Sequence, residues 1–149
     1  MKRILVLHGV NLSMFGKRDP KHYGTFTLAD LNQKLIELGK ELGVEVECFQ
    51  TNYEGQMCER IHRAFDEKVD AVVINAGGWS HNNVPVRDAL MILTVPIVEC
   101  HVSNNQKREE FRHHSSISDI ARGTIAGFGV DSYLLGLRAA VSAVSEVTS

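Results

Sequence analysis

Five short apolar runs alternate with stretches of helical periodicity, and this alternation restricts the possible folds of the chain more than any other feature. Leucines at three- and four-residue spacing predict an amphipathic helix over 27–42, with Thr27 as its N-cap and Gly43 just beyond its end. Strands that alternate with helices form a parallel sheet covered by helices on both faces. The predicted strands lie at 4–7, 44–49, 71–74, 97–101 and 124–126, and the other predicted helices lie around 57–65, at 84–93 and at 132–147.

The chain has 149 residues, of which 44% are apolar and 23% are charged. This length and composition suit a single globular domain that extends over residues 1–149. Five strands within this length predict an α/β fold of the flavodoxin-like class, a doubly wound five-stranded parallel sheet with helices on both faces. Such folds bind ligands beyond the carboxyl ends of their strands, so the residues that follow the strands are the candidates for a site.

The charge balance argues against several classes of partner. A net charge of −2 without a basic run gives no electrostatic support for binding nucleic acid or a membrane surface. No apolar stretch is long enough to cross a bilayer, and the one near the N-terminus is too short for a signal peptide, which predicts a cytoplasmic protein. The three cysteines, Cys48, Cys58 and Cys100, lack CxxC spacing, which argues against disulfides and a thiolate zinc site.

The connection between the first strand and the first helix, at about 11–24, is far longer than the roughly 2–6 residues that such connections usually need. Long ordered loops are more often functional lids than simple connectors. This loop carries Arg18 and Tyr23, and a fixed cation near a phenol favours the phenolate, which is a strong base. The alternative is a surface loop with a packed Tyr23 and a solvated Arg18, and the loop alone leaves both interpretations open.

The fourth strand ends in a group of polar residues. Glu99, His101 and Ser103 alternate along the chain, so their side chains point to one side of the sheet. A carboxylate beside a histidine fixes the ring tautomer and favours the charged ring, which gives a proton donor suited to neutral pH. Ser103 and the backbone N–H groups beyond it could hold a carboxylate. The alternative is a structural Glu–His pair at a strand end.

The third strand also ends in polar residues. Asn75 offers both a donor and an acceptor, and two adjacent glycines after it allow a ligand to approach the backbone closely. His81 and Asp88 are seven residues apart, so they share a face if both are helical, and each could bind a hydroxyl group. The alternative is that this segment only caps a helix, since Asn82 or Asn83 alone could do so.

Other familiar site patterns are missing from the sequence. It has neither a GxGxxG motif nor a P-loop, so nucleotide binding lacks its usual signal. His101, His113 and His114 occur without HxH or HExxH spacing, which argues against a metal site. The charged run over 108–114 indicates a solvated surface for most of its length.

A set of short motifs nevertheless occurs in a specific order between about residues 4 and 137. The motifs are Asn11-Leu12 with Gly16-Lys17-Arg18-Asp19-Pro20 and Tyr23-Gly24; Phe49-Gln50-Thr51-Asn52 with Glu54-Gly55; Ile61-His62; Ile74-Asn75 with His81; Arg87-Asp88-Ala89-Leu90; Glu99 with His101 and Ser103-Asn104; Arg108-Glu109 with Phe111-Arg112-His113-His114-Ser115; and Gly127-Phe128-Gly129. One such motif would be weak evidence, but the ordered set is highly specific. In this order the motifs closely resemble the type II 3-dehydroquinate dehydratases.

The resemblance implies a fold similar to flavodoxin and an enzyme that dehydrates 3-dehydroquinate to 3-dehydroshikimate through an enolate. It implies a place in the shikimate pathway or in quinate catabolism, and a homododecamer built as a tetramer of trimers. It also implies that the enzyme needs no metal and no cofactor, and forms no imine with its substrate. The alternative function is a non-enzymatic flavodoxin-like module that binds a nucleotide or a flavin, which nothing beyond the fold favours.

The resemblance further assigns roles to single residues. Tyr23 would be the base, Arg18 would supply the cation beside it, and Asn11 would help to hold a water that donates to the enolate. His101, oriented by Glu99, would protonate the departing hydroxyl group. The groups that would hold the substrate are Ser103, the backbone of Val102 and Asn75 for the carboxylate, and His81, Asp88 and Arg112 for the ring hydroxyls.

The chain departs from the family's usual pattern at a few positions near the strand ends. His8 stands where the family usually has asparagine, Val10 and Ala76 where it usually has proline, and Trp79 where tyrosine is more common. None of these departures removes a catalytic group. They bear on the shape of the pocket floor and on the rigidity of the first loop.

Overall fold

A computed structural model describes residues 1–148, and these contain one five-stranded sheet. Its strands are β1 (Arg3–Val10), β2 (Glu45–Gln50), β3 (Ala71–Gly77), β4 (Ile97–His101) and β5 (Gly123–Ala126). All neighbouring strands are parallel, and their order in the sheet is β2-β1-β3-β4-β5. This is the doubly wound order of the flavodoxin-like class, so the predicted fold class is confirmed.

Helices cover both faces of the sheet. The α-helices are α1 (Pro20–Tyr23), α2 (Leu28–Glu41), α3 (Glu54–Glu67), α4 (Val84–Ile92) and α5 (Val130–Thr148). The buried side chains of α2 and α5 pack on one face, and those of α3 and α4 pack on the other. The longer helices agree with the predicted ones to within a few residues, whereas the short helix α1 was not predicted. None of the helices within residues 1–148 combines the length and the apolar content that a membrane crossing requires.

Helix α2 shows why the leucine pattern was a reliable signal. Thr27 forms a capping box with Asp30, since the Asp30 N–H donates to Thr27 Oγ1 at 3.1 Å and the Thr27 N–H donates to Asp30 Oδ2 at 3.2 Å. Leu31 and Leu35 recur on one face and are completely buried against the sheet. The chain leaves the helix at Gly43, whose φ of 75° lies in the left-handed region that glycine adopts readily.

Strand β1 lies between β2 and β3, so the strand order reverses there and a crevice opens at the carboxyl end of the sheet. The two faces of the sheet supply different residues to this crevice. His8 and Asn75 are register partners on the face that α2 and α5 cover. Glu99 is the register partner of Ile74, so Glu99 and His101 lie on the face that α3 and α4 cover.

His8 is completely buried at the end of β1. Its Nε2 lies 2.8 Å from Asn32 Oδ1, and its Nδ1 lies 3.0 Å from the hydroxyl oxygen of Tyr133. Burial lowers the pKa of His8 to about 4, and the hydrogen bond with Asn32, which acts in the opposite direction, offsets this only in part. At this departure from the family pattern a neutral imidazole ring is therefore buried at the end of β1.

The buried His8 predicts a pH dependence of stability. Between the ordinary histidine pKa of 6.5 and the folded-state pKa of about 4, the unfolded chain binds a proton at His8 and the folded chain does not. Stability therefore falls as the pH falls through this window, by about 3 kcal/mol in total. We expect His8→Asn to flatten this part of the dependence in urea unfolding measured at a series of pH values. Equal slopes for the variant and the parent protein would contradict a neutral, buried His8.

Candidate active site

A cavity of about 150 Å³ opens above the carboxyl ends of β1, β3 and β4, where the strand order reverses. Most of the residues predicted for the site contribute to its lining: Asn11, Arg18, Tyr23, Asn75, His81, His101, Val102, Ser103 and Arg112. The same cavity is lined by Gly77 and Gly78, the two glycines expected to allow a close approach to the backbone, and by residues that were not predicted: Val10, Leu12, Phe15, Asn105 and Arg108.

The long loop between β1 and α2 lies over this cavity and has regular structure of its own. A 3₁₀ turn forms at Leu12–Met14, and α1 follows, capped by Asp19, whose Oδ1 accepts a hydrogen bond from the Lys21 N–H at 3.0 Å. Leu12 and Phe15 are buried in the core beneath the loop. These two apolar anchors hold the loop against the sheet and bring its polar residues to the cavity.

Arg18 and Tyr23 meet at the cavity wall. Arg18 Nη2 donates a hydrogen bond to the Tyr23 hydroxyl oxygen at 2.8 Å, and its guanidinium carbon lies 3.7 Å from the centroid of the ring. The guanidinium carbon of Arg108 lies 5.1 Å from the same centroid. Two cations beside a phenol stabilise negative charge on its oxygen. This contact favours the predicted lid over the alternative of a solvated Arg18.

Glu99 and His101 form a buried pair at the end of β4. His101 Nε2 lies 2.6 Å from Glu99 Oε2, and because a carboxylate only accepts, Nε2 carries the proton and donates it to this bond. The ring orientation is thereby fixed, and Nδ1 is the nitrogen that remains for a ligand. His101 contributes to the cavity lining, whereas Glu99 is completely buried behind it.

Three hydroxyl groups complete the surroundings of Glu99. Ser115 Oγ donates to Oε2 at 2.7 Å, Thr124 Oγ1 donates to Oε1 at 3.2 Å, and Ser118 Oγ also donates to Oε1. Burial acts to raise the pKa of Glu99, but the hydrogen bond and the charge of His101, with the two serine hydroxyls, outweigh burial and leave that pKa below its ordinary value. Glu99 is therefore an anion at neutral pH, although it is buried.

The end of β3 provides a backbone surface next to this pair. The Gly77 N–H donates to Asn75 Oδ1 at 3.0 Å. A Cβ at Gly77 would lie 2.7 Å from the Val10 carbonyl oxygen, and the φ of Gly77 is 62°, so the close approach of the two strands requires glycine.

Asn11 also has a positive φ, of 67°, which asparagine tolerates, and its N–H donates to Asn52 Oδ1 at 2.9 Å.

The structure separates His81 from Asp88. His81 follows the 3₁₀ turn at Gly78–Ser80 and precedes α4, so the idea that the two residues share a helix face is wrong. His81 and Arg112 contribute to the cavity lining, whereas Asp88 is exposed on α4 and lies outside the cavity of its own chain. The predicted cap of α4 is present, because Asn83 Oδ1 accepts from the Val86 N–H at 2.8 Å.

His81 is arranged as a hydrogen-bond acceptor. Its Nδ1 donates to the His114 carbonyl oxygen at 3.1 Å. Burial lowers the pKa of His81, as do the charges of Arg112, His101 and Arg108, against the opposing effect of the bond to His114. A neutral ring that donates from Nδ1 has an acceptor at Nε2, which suits a hydroxyl group.

Arg108 is the main cavity residue that the sequence analysis missed. Its Nη1 donates to Ser103 Oγ at 3.2 Å, and its Nε is buried without a hydrogen-bond partner within the described residues. The run over 108–114 is thus not uniformly solvated, since Arg108 and Arg112 both reach the cavity. The signals in the sequence were the density of cations just after the fourth strand and the motif that begins at Arg108.

Two other histidines near the site form hydrogen bonds that involve backbone carbonyl groups, His113 through its ring and His114 through its own carbonyl. His113 Nε2 donates to the Arg108 carbonyl oxygen at 3.1 Å, and the His114 carbonyl accepts from His81. Within residues 1–148, no three His, Cys, Asp or Glu side chains converge in a way that could hold a metal ion.

Comparison with known proteins agrees with this geometry. A profile of the family described as "Dehydroquinase class II" matches residues 2–141. The chain is 64% identical over 140 residues to the 3-dehydroquinate dehydratase of Syntrophotalea carbinolica, which covers 94% of this chain and 95% of the relative. It is also 64% identical over 142 residues to that of Leptothrix cholodnii, with 95% of each protein covered.

A solved structure is also similar to this chain. The type II dehydroquinase from Propionibacterium acnes superposes with a TM-score of 0.92 at 48% sequence identity, over 95% of this chain and 97% of that one. The two chains therefore share the same fold over nearly their full length. The chain therefore belongs to the dehydroquinase class II family, the type II 3-dehydroquinate dehydratases, which are hydro-lyases.

Proposed function

We propose that this protein dehydrates 3-dehydroquinate to 3-dehydroshikimate, with Tyr23 as the base and His101 as the acid. The observation that carries the proposal is that an arginine-bound tyrosine and a carboxylate-bound histidine line one small cavity. The substrate loses a proton from the carbon next to its ketone and a hydroxyl group from the adjacent carbon. The reaction therefore needs one base and one acid that face the same ligand.

The first step is proton removal by the Tyr23 oxygen. The electrons of the broken C–H bond move into the ketone and form an enolate. Arg18, whose Nη2 lies 2.8 Å from this oxygen, stabilises the negative charge that Tyr23 carries before it accepts the proton. The Arg108 guanidinium, 5.1 Å from the ring centroid, adds to this stabilisation. Asn11 lies in the same lining, and we propose that it helps to hold a water that donates to the enolate oxygen.

The second step is loss of the hydroxyl group. The enolate oxygen re-forms the ketone, and the electrons of the enolate carbon–carbon bond form a new double bond to the adjacent carbon. The C–O bond at that carbon breaks as His101 transfers a proton from Nδ1 to the leaving oxygen. Water departs and the product is a conjugated enone. Glu99 accepts the Nε2–H at 2.6 Å, so it holds Nδ1 toward the cavity and compensates the charge of the doubly protonated ring.

The remaining polar residues would hold the substrate. We assign the carboxylate to Ser103, the Val102 backbone and the Asn75 amide, because these lie together at the ends of β3 and β4. We assign the ring hydroxyls to His81, whose Nε2 accepts a hydrogen bond, and to Arg112, whose guanidinium donates. Asp88 lies outside the cavity of its own chain, so a contact between Asp88 and the substrate requires a neighbouring subunit.

We also propose the homododecamer, a tetramer of trimers, and action in the cytoplasm, either in the shikimate pathway or in quinate catabolism. Exposed apolar side chains on α4 support assembly, since Val84, Met91 and Ile92 are 57%, 56% and 47% exposed in the single chain. Sedimentation of the purified protein measures the assembly. A monomer at micromolar concentration would contradict it.

The test of the function is direct. Purified protein is mixed with 3-dehydroquinate, and the ultraviolet absorbance of the conjugated enone is followed. We expect turnover without added metal or cofactor, and unchanged turnover after treatment with a chelator. No absorbance change at high protein concentration would refute the proposal, and a protein isolated with bound flavin or nucleotide would favour the alternative binding module.

Reduction with borohydride tests the enolate route against an imine route. A tyrosine base needs no covalent bond between the substrate ketone and a lysine, so borohydride added with 3-dehydroquinate should leave activity unchanged. Activity after dialysis and the intact mass of the protein are the measurements. A loss of activity that depends on substrate, with a mass increase on a lysine, would show that the reaction uses an imine.

A further inference from the structure

The buried Glu99 carboxylate accepts hydrogen bonds from four side chains, and only one of them belongs to the proposed acid. Oε2 accepts from His101 Nε2 at 2.6 Å and from Ser115 Oγ at 2.7 Å. Oε1 accepts from Thr124 Oγ1 at 3.2 Å and from Ser118 Oγ. A carboxylate has about four acceptor positions, so these donors occupy all of them. A proton on Glu99 would have to displace one of these bonds.

The direction of the Ser115 bond follows from the other partners of its hydroxyl group. Ser115 Oγ accepts hydrogen bonds from the N–H groups of Ile117 and Ser118, both at 3.2 Å. Backbone N–H groups can only donate, so the single hydroxyl proton is left for Glu99 Oε2. Because both lone pairs of Ser115 Oγ are engaged, this oxygen cannot accept a proton from a neutral Glu99 carboxyl group. Ser115 therefore favours the ionised form of Glu99.

Apart from the hydroxyl groups, the surroundings of Glu99 offer one charged partner. Of residues 1–148, only His101 forms an ion pair with Glu99. The register partners of Glu99 in the sheet are Ile74 of β3 and Thr124 of β5, and neither carries a charge. The hydroxyl groups are therefore what stabilises the buried anion besides the ring of His101.

The turn over 115–118 is held in place by contacts that do not involve Glu99. Ile117 is 1% exposed and packs into the core on the face that α3 and α4 cover. Arg87 Nη1 of α4 donates to the Ser116 carbonyl oxygen at 2.8 Å. Arg87 belongs to one of the sequence motifs but does not line the cavity. The hydroxyl groups of the turn are thus arranged around the carboxylate before any ligand binds.

We propose that Ser115 and Ser118 are positioning residues for the acid: with Thr124 they form a hydroxyl cluster that holds Glu99 as an anion and so keeps the proton between Glu99 and His101 on the ring. The inference rests on the proposed function, because it concerns the acid of that reaction. A proton on Glu99 would leave a neutral imidazole, whose Nδ1–H is a far weaker acid than that of a doubly protonated ring. The hydroxyl cluster therefore sets the acidity of His101 without touching the substrate.

Steady-state kinetics of Ser118→Ala and Ser118→Thr test the hydroxyl cluster. Ser118 is exposed, so neither replacement disturbs the core. We expect Ser118→Ala to lower kcat by about tenfold and to keep KM within about twofold, because it removes a hydrogen bond to a charged group but no contact with the substrate. Ser118→Thr keeps the hydroxyl group, so its kcat should lie within about twofold of the parent value. Ser142→Ala, at an exposed serine of α5, is the matched control and should change neither constant.

Two kinetic outcomes would overturn the inference. A parental kcat in Ser118→Ala would show that the hydroxyl group does not act on the acid. A kcat of Ser118→Thr as low as that of Ser118→Ala would show that the side chain matters through its shape and not through its hydrogen bond.

Deuterium exchange separates an effect on the acid from a general loss of structure. A weaker acid leaves more of the enolate to return to substrate, so Ser118→Ala should incorporate more deuterium next to the ketone for each product molecule formed than the parent protein does. A variant that is merely less well folded would lose exchange and product formation in the same proportion. An unchanged ratio of the two would therefore overturn the inference.

Infrared spectroscopy tests the hydroxyl cluster without reference to activity. The C=O stretch of a protonated Glu99 is identified as the band that Glu99→Gln lacks, and its appearance is followed as the pH is lowered. The hydroxyl donors lower the pKa of Glu99, so the band should appear about one pH unit higher in Ser118→Ala than in the parent protein, which is a tenfold change in proton affinity. The same pH for both proteins would overturn the inference. If the parent protein shows no turnover, the proposed function fails, while the infrared comparison still decides whether the cluster holds the anion.

Discussion

Replacement of Tyr23 by phenylalanine is expected to lower kcat by about a thousandfold or more, because general acid–base catalysis by a positioned side chain contributes about 10²–10⁴ and the reaction cannot begin without the base. KM should change little. Phenylalanine keeps the aromatic ring beside the guanidinium groups of Arg18 and Arg108, so the shape and the charge of the cavity are preserved. The measurement is steady-state turnover of 3-dehydroquinate by absorbance.

Tyr53→Phe serves as the control for this prediction, since the Tyr53 side chain is 68% exposed and does not line the cavity. It should retain the activity of the parent protein. If Tyr23→Phe retained activity close to that of the parent, Tyr23 would not be the base. A large rise in KM at unchanged kcat would instead mean that Tyr23 only binds the substrate.

Replacement of His101 by alanine should have an effect of similar size, and we expect kcat to fall by about 10²–10⁴. The leaving hydroxyl group then has no acid, although Arg18 and Tyr23 remain in place. Glu99→Gln should lower kcat less, by about tenfold to a hundredfold, because the ring stays in position but loses the anion that compensates its charge. The exposed His62 of α3 provides the matched control variant, His62→Ala.

The comparison of the two variants is informative in itself. If Glu99→Gln were as inactive as His101→Ala, the carboxylate would take part in proton transfer and not only in orientation. If His101→Ala were nearly as active as the parent protein, the leaving group would receive its proton from another residue. The guanidinium of Arg112 and the ring of His81 are other N–H groups in the cavity lining.

The fold could be predicted from the sequence because each element carries its own local signal. The leucines of α2 recur at helical spacing, its cap Thr27 and its terminator Gly43 lie where such residues belong, and the alternation of elements permits few topologies. Helix α1 could not be predicted in this way. It has four residues and is stabilised by the Asp19 cap and by the anchors Leu12 and Phe15, which depend on the core beneath the loop.

The sequence predicted the site residues that follow strands. It did not predict the contacts that folding makes between segments far apart in the chain. His101 and Glu99 are two residues apart on one strand, so their contact follows from strand geometry. Arg108 reaches Tyr23 from a segment 85 residues later, and Ser118 and Thr124 reach Glu99 from beyond the charged run. No spacing rule connects such positions. The buried contact of Tyr133 with His8, 125 residues apart in the chain, escaped the sequence analysis for the same reason.

The most direct test of the central claim separates proton removal from loss of the hydroxyl group. Each variant is incubated with 3-dehydroquinate in deuterium oxide, and the deuterium at the carbon next to the ketone is measured by mass spectrometry in the recovered substrate, with a sample lacking protein as the reference. We predict that His101→Ala incorporates deuterium while it forms little product, since Tyr23 still forms the enolate. Tyr23→Phe should neither incorporate deuterium nor form product. Incorporation by Tyr23→Phe, with none by His101→Ala, would contradict the assignment of Tyr23 as the base and His101 as the acid.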